Sequence, residues 1–125
     1  MTTDFEELIA INFIAHGKTE GGELTFRFEE ALIAIRLCSK NTIAVLGIEI
    51  FEVHAGQLVW KSLSTYDQQM KKGPIQKQEW AAYVAKNSTL AEEFALSNPF
   101  GDGYVYVLTT ASWRELVNAY ERLTP

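Results

Sequence analysis

The stretch IAVLGIEIFEV at residues 43–53, followed by QLVW at residues 57–60, decides the fold. Both segments are rich in β-branched and aromatic residues, which favour strands. The break His54-Ala55-Gly56 between them contains a glycine, which tolerates the positive φ angles of tight turns. The two segments therefore predict a β-hairpin.

The segments around this hairpin have helical periodicity. Apolar residues recur at helical spacing over about 26–39 and again over about 78–96, where Asn87-Ser88-Thr89 could divide the segment into two short helices. Ser112 and Glu115 have the spacing of a capping box, which predicts a final helix to about residue 123. Residues 104–108, YVYVL, predict a central strand.

The remaining segments are less regular. Residues 5–15 fit both a helix and an alternating strand, and the helix is the preferred interpretation. The glycines at 17, 21 and 22 predict a polar loop, and residues 64–74 predict a polar connection. The order of elements indicates an α+β fold, a small and mainly antiparallel sheet with helices packed on it. At 125 residues, the chain is expected to form one domain, 1–125.

Composition and charge exclude several classes of protein. Hydrophobic residues make up 47% and charged residues 22%, which suits a globular fold and excludes disorder. The formal net charge of −5 disfavours a nucleic-acid binder, since phosphate binding needs clustered Lys and Arg. Residues 1–59 contain four basic and nine acidic residues. This excess is either ordinary solvated surface or an acidic face that attracts a basic partner, such as a nuclease-type toxin domain.

The sequence predicts a cytoplasmic protein. The lone Cys38 cannot form an internal disulfide, and the N-terminal residues are acidic where a secretory signal needs basic ones. The apolar stretches are shorter than the roughly 20 residues that cross a bilayer, so no membrane role is expected.

Groups suited to catalysis or to metal binding are scarce. His16, His54 and Cys38 are the chain's whole complement of His and Cys, and none are paired at metal-ligand spacing. His54 is expected to be a solvated turn residue and His16 to be half-buried in packing. Cys38 falls on the apolar side of its helix, where burial makes a thiol inert. We therefore expect no metal, no cofactor and no enzyme activity, although Glu49 and Asp67 could in principle act as an acid and base.

Glu49 is the most informative residue by position. It lies within a strand that has little polar surface on either side, and a buried carboxylate needs a partner or must be neutralised. Glu49 could bond a loop backbone or a lysine near a sheet edge, or it could be presented to a ligand or a protein partner. Tyr66 and Asp67 follow the hairpin and could anchor a turn or form a binding hot spot.

Four stretches resemble a family of small bacterial proteins, immunity protein family 40 of the polymorphic toxin systems. The similarity covers residues 29–35, 44–51 and 65–67, together with Ser88, Ala91 and Phe94. Its motifs are a Leu-Gly pair with an acid two residues beyond the glycine, here Leu46-Gly47-x-Glu49, and a Tyr-Asp pair after the hairpin, here Tyr66-Asp67.

This resemblance implies a protein that binds a cognate toxin and neutralises it without catalysis. It also implies that Glu49, Tyr66 and Asp67 lie at or beside the toxin-binding surface. The alternative that remains open is a small ligand-binding or regulatory module, which would need a concave apolar pocket with a few polar groups around it.

Overall fold

The computed structural model of the chain describes residues 3–12, 14–19, 21–65 and 75–123. These ranges contain four helices and two antiparallel sheets, so the predicted α+β class is confirmed. In chain order the elements are α1 (Asp4–Asn12), β1 (Gly17–Lys18), β2 (Leu24–Thr25), α2 (Phe28–Lys40), β3 (Ile43–His54), β4 (Gln57–Thr65), α3 (Lys77–Ser97), β5 (Tyr104–Ser112) and α4 (Trp113–Leu123).

The main sheet is antiparallel and has the strand order β4-β3-β5. The middle strand is β3, so the prediction that residues 104–108 form the central strand is wrong. In the described part of the chain, the other side of β5 has an isolated bridge, in which Phe26 and Tyr106 exchange backbone hydrogen bonds. Both β3 and β5 are apolar enough for burial, and composition alone does not show which of them has two neighbours.

The predicted hairpin is confirmed, but its second strand is longer than expected. Ala55 and Gly56 form the turn with φ angles of 50° and 80°, as two-residue hairpin turns require. β4 then continues through Thr65, into the segment predicted as a polar connection. Ser62 and Ser64 are polar, yet each pairs with a buried isoleucine of β3, because ladder hydrogen bonds join backbone groups whatever the side chain.

Of the ambiguous residues 5–15, residues 5–12 are helical in α1, and residues 14 and 15 lie outside the helix. Phe5 and Ile9 are buried one helical turn apart, whereas Ile11 is 75% exposed. An alternating strand would have placed Ile9 and Ile11 on the same face. The helix places Phe5, Leu8 and Ile9 on the side that packs against the core.

A core cluster lies where α1, α2 and the second half of α3 pack on one face of the sheet. Ile48 and Ile50 of β3 and Tyr106 of β5 are fully buried there. The Tyr106 hydroxyl donates to the Asn98 carbonyl and accepts from the Phe100 N–H. The buried residues of this cluster are Phe5, Ile9, Phe26, Ala31, Ala34, Ile35, Cys38, Ile43, Val45, Ile48, Ile50, Ala91, Ala95, Tyr106 and Leu108.

Cys38 should be chemically inert in the folded protein. Its thiol is fully buried in this cluster, and desolvation raises the pKa of Cys38 to about 12. At pH 8 we expect labelling by a thiol reagent to be at least about a hundredfold slower in the native protein than in urea, because the thiolate is the nucleophile. Rapid stoichiometric labelling of the native protein, followed by mass spectrometry, would contradict this burial.

α3 is one continuous helix, so a division at Asn87-Ser88-Thr89 does not occur. Asn87 and Ser88 lie on the buried side of α3, and the Thr89 hydroxyl bonds the Ala85 carbonyl one turn back. The first half of α3 contributes to a second cluster near the start of β3 and the end of β5. Its members are Ala44, Ile75, Trp80, Tyr83, Val84, Ala111 and Leu116. Packing at both ends keeps α3 helical through Asn87-Ser88-Thr89, although these residue types have low helix propensity.

The predicted capping box at the start of α4 is confirmed and is joined to α1. The Ser112 N–H donates to Glu115 Oε1, and the Glu115 N–H donates to Ser112 Oγ. Asp4 accepts hydrogen bonds from the Ser112 hydroxyl and from Arg114. These contacts hold the pKa of Asp4 below its usual value, and the hydrogen bond from the Ser112 hydroxyl has the largest effect.

Replacing Asp4 with asparagine should reduce stability by roughly 1 kcal/mol at pH 7. Because the folded-state pKa is lowered, the charged carboxylate stabilises the protein above its ordinary pKa of 3.8, and this contribution is lost as the pH falls through the folded value. Urea titrations should therefore show a difference between wild type and Asp4→Asn at pH 7 that shrinks by pH 3. Glu93→Gln, an exposed change of equal charge, should show no such difference.

The glycine-rich segment near residue 20 is partly ordered as strand rather than entirely as loop. β1 and β2 pair in register, Gly17 with Thr25 and Lys18 with Leu24, which corrects the predicted polar loop. Gly22 has a φ of 86° between them, so the turn chemistry of the prediction holds at that residue.

Candidate functional site

β4 is an exposed edge strand with large apolar side chains. Trp60 is 59% exposed and Leu63 is 50% exposed, and Leu58 and Val59 also face solvent. No described strand pairs with the outer edge of β4. Other exposed apolar residues, such as Ile11 and Leu96, lie singly on helices, which is normal for a protein surface. The β4 residues are instead contiguous, and such patches mark interaction sites.

Glu49 lies beside this strand, on the middle strand of the sheet. The register places it opposite Leu63 of β4 and Val107 of β5, and residues that are directly opposite share a face. The Glu49 side chain is partly buried, and its carboxylate has no hydrogen bond or ion pair within the described ranges. The alternative of a carboxylate bonded to a loop or to a lysine is therefore not what these residues show.

The other charged residues described on β3 and β4 contact groups other than Glu49. His54 Nε2 lies 3.0 Å from Glu52 Oε1. The His54 side chain is exposed at the end of the hairpin, as expected, and that of Glu52 is partly buried. Lys61 is the basic residue of β4, and its Nζ lies 6.0 Å from the centre of the Phe100 ring. None of these described side chains forms an ion pair with the Glu49 carboxylate.

The motif glycine beside Glu49 has a structural role. A Cβ atom at Gly47 would lie 3.0 Å from the Ser64 carbonyl oxygen, closer than ordinary van der Waals contact. Glycine lets β3 and β4 approach here, where Gly47 also pairs with Thr65. Gly47 of the motif therefore allows the close approach of the two strands that carry Glu49 and Leu63.

Tyr66 and Asp67 lie outside the described residues, so their predicted place at the site stays a prediction. The chain reaches them directly after Thr65, the last residue of β4. The structure places Glu49 beside the exposed side chains of β4, which the sequence analysis did not single out. The available signal was Trp60, in a predicted strand next to the more apolar β3. A tryptophan occurs both in exposed edge strands and in buried strands, so this signal does not distinguish them.

A second candidate site is a cleft at the hairpin end of the sheet. A cavity of about 710 Å³ is lined by Lys18, Gln57 and Leu58 among others, and a neighbouring cavity of about 400 Å³ is lined by Arg27 and Asp102 among others. Both cavities are bordered by His16, Val53 and Val105. The sequence signal for this cleft was its glycine-rich turns, since glycines of these turns line both cavities.

His16 is exposed in this cleft, so the prediction of a half-buried packing histidine is wrong. The residue follows α1 and enters the β1–β2 hairpin, where its N–H bonds the Thr25 carbonyl. An exposed imidazole between two cavities can donate or accept a hydrogen bond to a small molecule.

The described residues offer little for metal chemistry or for crossing a membrane. Within them, no group of three or more His, Cys, Asp or Glu side chains is arranged to hold a metal ion. None of the described helices combines the length and the apolar character that a membrane span needs.

Comparison of the chain with protein-family models, with curated proteins and with solved structures found no match.

Proposed function

We propose that this protein is an immunity protein, which binds a cognate toxin and neutralises it by contact. The observation that carries the proposal is the exposed edge of β4, where Trp60 and Leu63 lie next to the unpaired carboxylate of Glu49. Protein interfaces draw their affinity from a few aromatic and aliphatic anchors together with complementary charge. This surface offers both kinds of group, in agreement with the resemblance at Leu46-Gly47-x-Glu49.

The charge of the chain supports a basic partner. The acidic excess lies in residues 1–59, which include the strand that carries Glu49. A toxin that acts on nucleic acid needs a basic surface for its substrate. An acidic protein that covers such a surface blocks the substrate and is attracted to it over a distance.

The test is capture of the partner and reconstruction of the toxicity. The tagged full chain is used as bait in a lysate of the source cells, and stoichiometric partners are identified by mass spectrometry. A partner that stops growth when expressed alone, and permits growth when co-expressed with this chain, supports the proposal. A bait that captures no partner, or a partner that is harmless alone, counts against it.

Glu49→Gln should weaken binding to that partner by at least about tenfold, because the amide keeps the shape of the side chain and removes its charge. Affinity is measured by calorimetry on the purified pair. Glu93→Gln is the matched control, since it changes the net charge by the same amount on an exposed part of α3. Equal affinity of Glu49→Gln and wild type would remove Glu49 from the binding surface.

The cleft around His16 supports a second candidate function, binding of a small molecule. Its larger cavity, about 710 Å³, is within the range of ligand pockets, and polar groups surround the apolar Val53 and Leu58. A thermal-shift screen against a panel of metabolites tests this function. A ligand that raises the Tm of wild type but not of His16→Trp, a variant that fills the cleft, would support it, and a flat screen would reject it.

A further inference from the structure

We infer that the partner binds by adding an extended strand to the outer edge of β4, and that this strand presents a Lys or Arg side chain to Glu49. The inference rests on the proposed function only in taking a protein as the ligand. It specifies the mode of binding and the chemistry of the segment that binds.

The first observation is that apolar side chains are exposed on both faces of β4. Leu63 is opposite Glu49, whereas Val59 is opposite Glu52, and these two glutamates point to opposite faces of β3. A partner that sat on one face of the sheet would leave the other side chain in water. A strand added at the edge contacts side chains on both faces at once.

The second observation is the open backbone of the strand. β4 runs for nine residues, and its neighbour in the described sheet is β3 alone. An edge of this kind presents a row of N–H and C=O groups for pairing with another chain. Main-chain pairing would supply affinity, and the side chains on alternate positions would supply specificity.

The third observation identifies the charge of the added strand. Strands are spaced by about 4.8 Å, so a residue opposite Leu63 on the added strand would lie about 10 Å from Glu49. The long side chain of Lys or Arg, together with that of Glu49, spans this distance. The aliphatic part of the Lys or Arg side chain would cover the exposed Leu63, while its charged end reaches the Glu49 carboxylate.

A second copy of this chain fits the edge less well than a basic partner does. Two copies with a net charge of −5 each repel one another. The basic residue of β4, Lys61, extends to Phe100, which stacks on Tyr104. Tyr104 pairs with Glu52, and so Lys61 lies on the face opposite to Glu49. A second copy would therefore bring no cation from its own β4 to Glu49.

The experiment uses a displayed library of random twelve-residue peptides, panned against the immobilised full chain. We expect enriched peptides with alternating β-branched or aromatic residues and a Lys or Arg at one position. Fluorescence anisotropy of an enriched peptide should show at least about tenfold weaker binding to Glu49→Gln and to Leu63→Asp. Glu93→Gln and Leu96→Asp, which change exposed positions on α3, should bind as wild type does.

Amide hydrogen exchange provides a readout that side-chain contact alone would not change. The bound peptide should slow exchange at alternate amides of β4, those that face away from β3, and leave α2 unchanged. Unchanged exchange on β4, enriched peptides that lack a basic residue, or no enrichment would each overturn the inference. So would a dimer of the free protein in which these amides are already protected, since the occupant would then be a second copy.

The two proposals can fail separately. If peptides bind the edge as described but no toxin is captured, the immunity function fails and the edge inference stands. If a toxin is captured and protects another surface from exchange, the immunity function stands and the edge inference fails.

Discussion

Replacing Ile48 with alanine is expected to lower the free energy of unfolding by about 2–5 kcal/mol, the range for large-to-small changes at fully buried isoleucines. Ile48 is fully buried on the middle strand, between Ser64 of β4 and Leu108 of β5. The change removes apolar contacts and leaves a cavity that neighbours on both sides cannot easily fill. The measurement is equilibrium unfolding in urea followed by tryptophan fluorescence.

The matched control is Ile11→Ala, because Ile11 is 75% exposed on α1. Its effect should be within about 0.5 kcal/mol, as for other surface substitutions. If Ile48→Ala were no more destabilising than Ile11→Ala, Ile48 would not be in a packed core, and the placement of β3 between β4 and β5 would be wrong.

Trp60→Ala should weaken partner binding by at least about 2 kcal/mol, or about thirtyfold, and leave the stability of the protein nearly unchanged. Trp60 is the one aromatic side chain of the described residues that is mostly exposed, and it lies opposite Phe51 on the edge strand. Tryptophan contributes strongly to interfaces because it buries a large area with little loss of conformational entropy.

Measuring the free energy of unfolding of Trp60→Ala as well as its affinity distinguishes an effect on binding from an effect on folding. Trp60 has little to lose on unfolding because most of its surface is already in water. Leu96→Ala, which truncates an exposed residue on α3, is the control and should change neither quantity. Unchanged affinity in Trp60→Ala would show that the partner does not contact the exposed edge of β4, and the proposed surface would have to be abandoned.

Local patterns predicted most of the secondary structure. The hairpin turn at Ala55-Gly56, the Ser112–Glu115 capping box and the apolar spacing of α2 each depend on residues that are close in sequence. Interactions of that range are formed by the segment itself, so the segment's own residues are enough to predict them.

The predictions that failed depended on neighbours distant in sequence. The length of β4 depends on pairing with β3, and the continuity of α3 through Asn87 depends on packing at both of its ends. The central position of β3 rather than β5 depends on which strand has two partners. The sequence of a segment does not show which distant segment will pack against it or pair with it.

The features of the candidate site also divide into those that the sequence determines and those that depend on the tertiary structure. The sequence by itself determined that Glu49 is an acid in an apolar strand, that Gly47 precedes it, and that the chain is acidic and poor in catalytic groups. Those properties belong to residue types and to their order. Only the tertiary structure decided that Glu49 has no described partner and that β4 is an exposed edge, because exposure and pairing depend on which strands meet in space.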